Sequence, residues 1–348
     1  MNILLSCAGC RNYLIDFFKT ALAGHGQVFV TDSNPDAVSL QEADRGFIMP
    51  RANHPEYFDL LLDICKQNQI KLLISLNDLE LPLLAKQRDL FLKIGTIPVI
   101  ADPAAIDICF DKWKTFKFLT QHQIPAPKTY LSLADARQAI ATGELTFPLV
   151  IKPRWGTASI GIEFPQDDEE LELAYQLVKK RLSRTILADI SASDRDRSVL
   201  IQEQIIGKEY GLDVINNLDG KYIATLAKRK LSMRGGETDR AVTVADPQLI
   251  DIGEKIGRNL QHIGNLDCDV FSGAQGYCIL EMNPRFGGGY PFSHIAGANL
   301  PAALIAWASG KTADPDWFTV TPDLMSSKCA RLVIHTLHYS TEPSLVSK

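Results

Sequence analysis

The sequence has no surplus of positive charge: its 348 residues carry a net charge of −5. Nucleic-acid partners are therefore not expected, because phosphate backbones require a basic face. A small anionic ligand held locally is still allowed. No segment approaches the ~20 apolar residues of a membrane helix, so no membrane partner is expected. The seven cysteines are odd in number and scattered, which argues against a disulfide framework and for free thiols in a reducing cytoplasm. The opening MNILLSCAG reads as a buried strand, too short for a signal-peptide core and without a basic leader. Cys7 and Cys10 form a CxxC. No second pair stands at zinc spacing, so redox or metal use competes with small buried side chains. There is no GxGxxG, no Walker A motif, no internal repeat and no low-complexity segment.

What is present alternates. NILLSCA, QVFVTD, RGFIMP, IKLLISL and IPVIA read as strands, and the segments between them carry apolar residues at helical spacing. That order predicts a parallel sheet covered on both faces. Asp32 ends the second strand where a ribose-binding acid would sit, but SCAGCR contributes only Gly9; a structural turn is the competing reading. Asn77, Asp78 and Glu80 follow another strand, where open sheets place ligands and where helix starts also favour acids.

Residues 102–130 read as a helix and a Pro-punctuated link into a new unit. FPLVIKP is a strand ending in Lys152, and DDEELELAYQLVKKRL is a solvated amphipathic helix. VLIQEQI, EYGLDVINN and YIATLAKRK read as strands of one antiparallel sheet, and SASDRDRS as a loop. NLDCDVFS and YCILEMN form a hairpin around SGAQG. A helix ends at Gly310, and CARLVIHTLHY is expected to be a strand before a frayed end.

Three constellations carry chemistry. Residues two apart on a strand share a face, so Asp267 and Asp269, and likewise Glu281 and Asn283, project together. Asp269, Glu281 and Asn283 then suit a hard cation, Mg²⁺ above all. Arg285 follows with a planar fork for a phosphate oxygen, and Gly287, Gly288 and Gly289 allow backbone to approach a ligand. The competing reading is a charged hairpin end. In VIKPRWGTASIGI, Lys152 faces a loop with Gly156, Thr157, Ser159 and Gly161, small residues that turn amides toward a phosphate. In IQEQIIGKEYGLDV, Glu209 is a candidate for ribose hydroxyls, although an acidic strand edge would look the same.

In this order, with DKW, CDVF, ILEMNPRFGGGYP and IAGAN, these pieces resemble the ATP-grasp superfamily, and within it the carbamoyl-phosphate-synthase-like carboxylate–amine ligases. The resemblance covers nearly the whole chain. It implies an α/β front domain with a parallel sheet (1–105), then an α+β ATP-grasp fold with antiparallel sheets in two lobes (106–190 and 191–315), and a C-terminal extension (316–348). It implies that Lys112 and Lys152 contact phosphate and that the loop through Gly156, Ser159 and Gly161 is a flap over the triphosphate. Glu203 and Ile205 match the adenine hinge, and Glu209 the ribose acid. Asp269, Glu281 and Asn283 match the magnesium ligands, and Arg285 the arginine beside the transferred phosphate; Asp269 is shorter than the usual Glu or Gln. Lys228, Arg229, Arg234 and Arg240 lie in the variable substrate region, with a salt-bridged surface ribbon as the alternative. Ser293 and His294 either face the acceptor or cap a helix.

The implied activity is ADP-forming ligation of a small-molecule carboxylate to an amine, with Lys152 and Arg285 catalytic. ATP and Mg²⁺, or Mn²⁺, are the implied cofactors, and a homodimer is the implied assembly. Activation of bicarbonate, a non-catalytic ATP-binding module and a dehydrogenase are the rival readings.

Overall fold

The computed structural model describes residues 1–156, 161–185, 187–274, 276–335 and 345–346. Its front sheet has strands β1 (Asn2–Ser6), β2 (Val28–Asp32), β3 (Arg45–Ile48), β4 (Ile70–Ser75) and β5 (Ile97–Pro98). They run parallel in the order β3-β2-β1-β4-β5. β1 and β2 bury nearly every residue, as a sheet covered on both faces requires. The helix Asn12–Leu22 covers one face through Leu14, Ile15, Phe18 and Leu22. The stretch 81–94 is two short helices, Leu81–Lys86 and Arg88–Lys93, rather than one.

The helical reading of 102–121 likewise divides, into Pro103–Phe110 and Lys112–Gln121. Asp111 stands at the break, and its carboxylate accepts from the Trp113 and Lys114 amides. A three-stranded antiparallel sheet follows, with β6 (Thr129–Tyr130), β7 (Leu149–Pro153) and β8 (Val199–Glu203) in the order β6-β8-β7. The helix Asp168–Leu182 packs on it through Leu171, Tyr175, Val178 and Leu182. SASDRDRS contains a 3-10 turn, Ala192–Arg197, rather than plain loop.

The large sheet holds β9 (Lys208–Asn216), β10 (Tyr222–Arg234), β11 (Glu237–Val244), β12 (Gly264–Gly273), β13 (Gly276–Asn283) and β14 (Met325–Ser327). It is antiparallel, in the order β13-β12-β9-β10-β11-β14. VLIQEQI therefore pairs with the small sheet and not with β9 and β10, so that sheet runs past residue 190 to Glu203. The strand expected from residue 329 is absent from its described part, 329–335; residues 336–339 lie outside the described residues. β14 instead pairs with β11, Lys328 reaches Glu237 at 2.8 Å, and Arg331 reaches Asp16 and Glu42 at 3.3 and 2.5 Å.

Two hydrophobic cores mix front and large-sheet residues. One joins Leu4, Phe58 and Leu73 to Leu249, Leu266 and Met282. The other joins Ile3, Leu14 and Val28 to Ile215, Leu300 and Leu304. The third core, with Leu149, Ile151, Leu171, Val178 and Ile201, belongs to the small lobe, and of the front domain only Leu79 touches its edge.

Candidate active site

The site begins with a β-bulge. From the turn outward the hairpin pairs Gly273 with Gly276, Ser272 with Tyr277, Phe271 with Cys278 and Val270 with Ile279. The register then shifts: Leu280 has no counterpart, and Asp269 pairs with Glu281 and Asp267 with Asn283. Regular pairing would have put Leu280 across from Asp269 and turned Glu281 to the opposite face. The bulge re-aims the strand and gathers the oxygen-bearing side chains on one side.

Cations meet them there. Lys112, at the start of its helix, lies 3.3 Å from a Glu281 oxygen and donates to the Gly156 carbonyl at 2.7 Å. Lys152 comes from β7 and is buried. Arg154, two residues on, grips Asp111 with two bonds, at 2.8 and 2.7 Å, and Asp194 with a third at 2.9 Å. It thereby fixes the strand bearing Lys152 to the helix bearing Lys112. Arg285 lies 2.8 Å from Asp78 and 3.5 Å from Asp267. Lys230 bridges Glu209 at 2.6 Å and Asp269 at 2.5 Å.

Electrostatics follow from this crowding. Burial would raise the Glu281 carboxyl, but Lys112 and Lys152 outweigh it and bring it to about 2. Asp269 is pushed up to about 7 by burial and by Asp267 and Glu281, against the pull of Lys230. Lys152 is brought down to about 7 by burial and then by Lys112, with Glu281 and Asp269 opposing. Burial disfavours charge on Arg285, yet Asp78 and Asp267 hold its guanidinium protonated.

Lys112, Lys152, Gly156, Glu209, Asp269, Glu281, Asn283 and Arg285 all line one cleft of about 520 Å³. Among the described residues no three His, Cys, Asp or Glu side chains converge as a ready metal cage. Two carboxylates and an amide oxygen remain a fitting set for Mg²⁺, which takes one or two carboxylates plus phosphate oxygens. The raised Asp269 carboxyl shows that its site favours added positive charge.

Two stretches of the chain match known families, and most of the cleft residues fall in them, although Lys112, Lys152 and Gly156 lie between the two. Residues 3–100 match the family described as the PylC-like, N-terminal domain. Residues 195–328, which hold β8 to β14 and Arg285, match "ATP-grasp in the biosynthetic pathway with Ter operon". The second stretch is thus similar to an ATP-grasp family. The chain is 26% identical over 303 residues to the carbamoyl phosphate synthase large chain of Bifidobacterium animalis subsp. lactis, covering 81% of itself and 25% of that protein. It therefore spans about a quarter of that relative's length. It is 24% identical over 316 residues to the 3-methyl-D-ornithine--L-lysine ligase of Methanosarcina acetivorans, covering 88% of itself and 75% of that enzyme. A solved biotin carboxylase from Campylobacter jejuni shares the fold with a TM-score of 0.72 at 14% identity, over 92% of this chain and 73% of that one.

Other expected residues lie elsewhere. Glu203 ends β8, and Ile205 sits in the link from small to large sheet; neither lines the cleft, nor does Gly161. Thr157 and Ser159 lie outside the described residues. Glu80 is fully buried in the front domain, where Ser6 and Ser75 each donate to it at 2.6 Å and Tyr57 donates to its other oxygen. It therefore faces no ligand. Ser293 lies inside the helix Tyr290–Ile295 and donates to Asp213 at 2.6 Å, so it neither caps the helix nor faces an acceptor. His294 stacks on Phe17 at 3.6 Å.

Lys228 is 0% exposed and pairs with Asp213 at 2.6 Å, not with a substrate. Arg229 points to the opposite side of β10 from Lys228 and Lys230 and does not line the cleft. Arg234, 73% exposed, pairs with Asp239, and Arg240 is exposed on β11; the surface-ribbon alternative describes both. Asp32 accepts from the Gly9 and Asn34 amides at 2.7 and 2.9 Å, as a structural turn requires. All seven cysteines are free. Of the glycines after Arg285, Gly288 and Gly289 line the cleft, whereas Gly287 serves packing: a Cβ there would fall 2.1 Å from the Asp267 carboxylate.

Sequence reasoning missed Lys230, Arg11 and Glu237 as cleft residues. Lys230 carried a signal: period two from Lys228 puts it on the Asp269 side of β10. Arg11 carried none, because its partner Glu237 is 226 residues away.

Proposed function

We propose that this protein is an ADP-forming ATP-grasp ligase that activates a small-molecule carboxylate as an acyl phosphate and joins it to an amine. The observation that carries this reading is the convergence of Lys112, Lys152 and Arg285 with Asp269, Glu281 and Asn283 in one cleft. The Methanosarcina relative, a ligase by name, supports it.

In this reading a carboxylate oxygen of the substrate attacks the γ-phosphorus of ATP, and ADP leaves with the bond electrons. The amine then attacks the acyl carbon, loses a proton and expels phosphate. Asp269, Glu281 and Asn283 would hold Mg²⁺, or Mn²⁺, which when bound offsets charge on the phosphate oxygens. Lys112 and Lys152 place two cations on one side of the moving phosphoryl group, and Arg285 offers its fork from the other element. Glu209 suits the ribose, and the link through Ile205 after Glu203 offers backbone atoms to adenine. Gly156, which lines the cleft, opens the segment that would have to exclude water from the acyl phosphate.

Lys152 gives a pH signature. Its ammonium sits low, at about 7 against an ordinary 10.5, and a bound phosphate favours the protonated form. ATP affinity should fall as pH rises from about 7 toward 10.5. Calorimetry at pH 8 in buffers of different ionisation enthalpy should show proton uptake on binding. Uptake unchanged in Lys152→Met would assign it elsewhere.

The activity itself is tested with purified protein, ATP, Mg²⁺ and pools of amino acids, following phosphate and ADP. ADP formation that needs both a carboxylate and an amine is expected. Turnover with bicarbonate alone would replace this reading with bicarbonate activation.

A further inference from the structure

The front sheet reverses its strand order between β1 and β4. In open α/β sheets the crevice beyond the carboxyl ends of the strands at such a switch point is where ligands sit. Arg11, in the loop after β1, spans this crevice and donates to the Leu76 carbonyl beyond β4 at 2.5 Å. Asp78, in the same loop, reaches Arg285. The crevice of the front domain therefore opens into the ATP cleft.

At that end Arg11 and Glu237 both line the cleft. Arg11 faces Glu237 at 3.4 Å, long for a charge-assisted bond. Each is held from behind, Arg11 by Leu76 and Glu237 by Lys328 at 2.8 Å. Gly288 makes the place for Glu237, since a Cβ there would meet its carboxyl carbon at 2.9 Å. Burial alone would raise the Glu237 carboxyl, but Lys328 and Arg11 keep it below its ordinary value and so ionised.

We propose that Arg11 and Glu237 form a receptor for the zwitterionic head of an amino acid, Arg11 taking its carboxylate and Glu237 its ammonium. The loose pair opens by exchanging partners, so neither charge is left buried alone. A dicarboxylate would set its second anion against Glu237, and a simple amine would leave Arg11 unmatched. The inference rests on the ligase reading and names the class of one of its substrates.

The test uses the full chain saturated with Mg²⁺ and a non-hydrolysable ATP analogue, titrated calorimetrically with each of the twenty common L-amino acids. The best binder is then compared with its N-acetyl and carboxamide derivatives. Each derivative should bind about ten- to a hundredfold more weakly, the value of one charge-assisted contact. Glu237→Gln should erase the penalty for the acetyl derivative alone, and Arg11→Gln the penalty for the carboxamide alone.

The proposal is overturned if no amino acid binds, if the derivatives bind like the parent, or if both variants weaken all three ligands equally. Retained affinity for the nucleotide analogue reports folding; should either variant lose it, Arg11→Lys and Glu237→Asp read the same crossed pattern. Failure of the ligase reading looks different: the wild-type chain would then form no ADP with any carboxylate and amine.

Discussion

Arg285→Ala should lower turnover by about a thousandfold while ATP affinity changes far less, because an arginine on the transferring phosphoryl group acts mainly in the transition state. The geometry adds a second effect. Asp78 and Asp267 both rely on this guanidinium, at 2.8 and 3.5 Å. Its removal leaves two largely buried carboxylates without their shared cation, and breaking such a pair costs about 3–5 kcal/mol of stability. Asp267 is already raised by burial, with Arg285 the main opposing influence. Arg285→Lys separates the two effects: it keeps the charge but loses the fork. That variant should melt near the wild-type temperature and still turn over slowly. Single-turnover phosphate release beside a thermal melt makes the comparison. A lysine variant as fast as wild type would remove Arg285 from the transition state.

Glu281→Gln combined with Asn283→Ala should abolish the magnesium dependence of nucleotide binding and reduce ADP formation by about a hundredfold or more. Two causes act together. The double variant loses one of the three oxygen donors suited to the ion and reduces a second from a carboxylate to a neutral amide oxygen. It also removes the carboxylate that faces Lys112 at 3.3 Å and that holds the Lys152 ammonium up against burial. Lys152 would then lose its proton more easily, and the phosphate grip would weaken even with magnesium present. Calorimetry with and without a chelator, followed by phosphate release, measures both. Nucleotide uptake equally sensitive to chelator in the double variant would take these residues out of the metal site.

The front sheet was legible because its strands are buried on both faces, so NILLS and VFVTD read as unbroken apolar runs. Lys152 and Arg285 were legible from their places at strand ends. The facing of Asp269 and Glu281 was expected from the hairpin, yet it holds only because Leu280 bulges out of register. Nothing in YCILEMN announces that bulge. Glu80 misled because three acids and amides after a strand look alike, and only packing decides which one turns inward. Ser6, Ser75 and Tyr57 capture Glu80, while Asp78 reaches the cleft. The cationic run KRK in β10 was equally ambiguous: one lysine is buried on Asp213, the arginine points away, and Lys230 alone meets Asp269.

The way apolar side chains are shared decides what backs each side of the cleft. Prising the front domain from the large sheet would expose two cores at once and break the ion pairs from Arg331 to Asp16 and Glu42. The core beneath β7 and β8 takes only Leu79 from the front domain, whereas Ile106, Cys109, Phe118 and Leu119 of the two preceding helices are buried with front-domain side chains. The cleft is therefore backed by two separate interiors, with Lys152 carried on the one and Glu281 and Arg285 on the other.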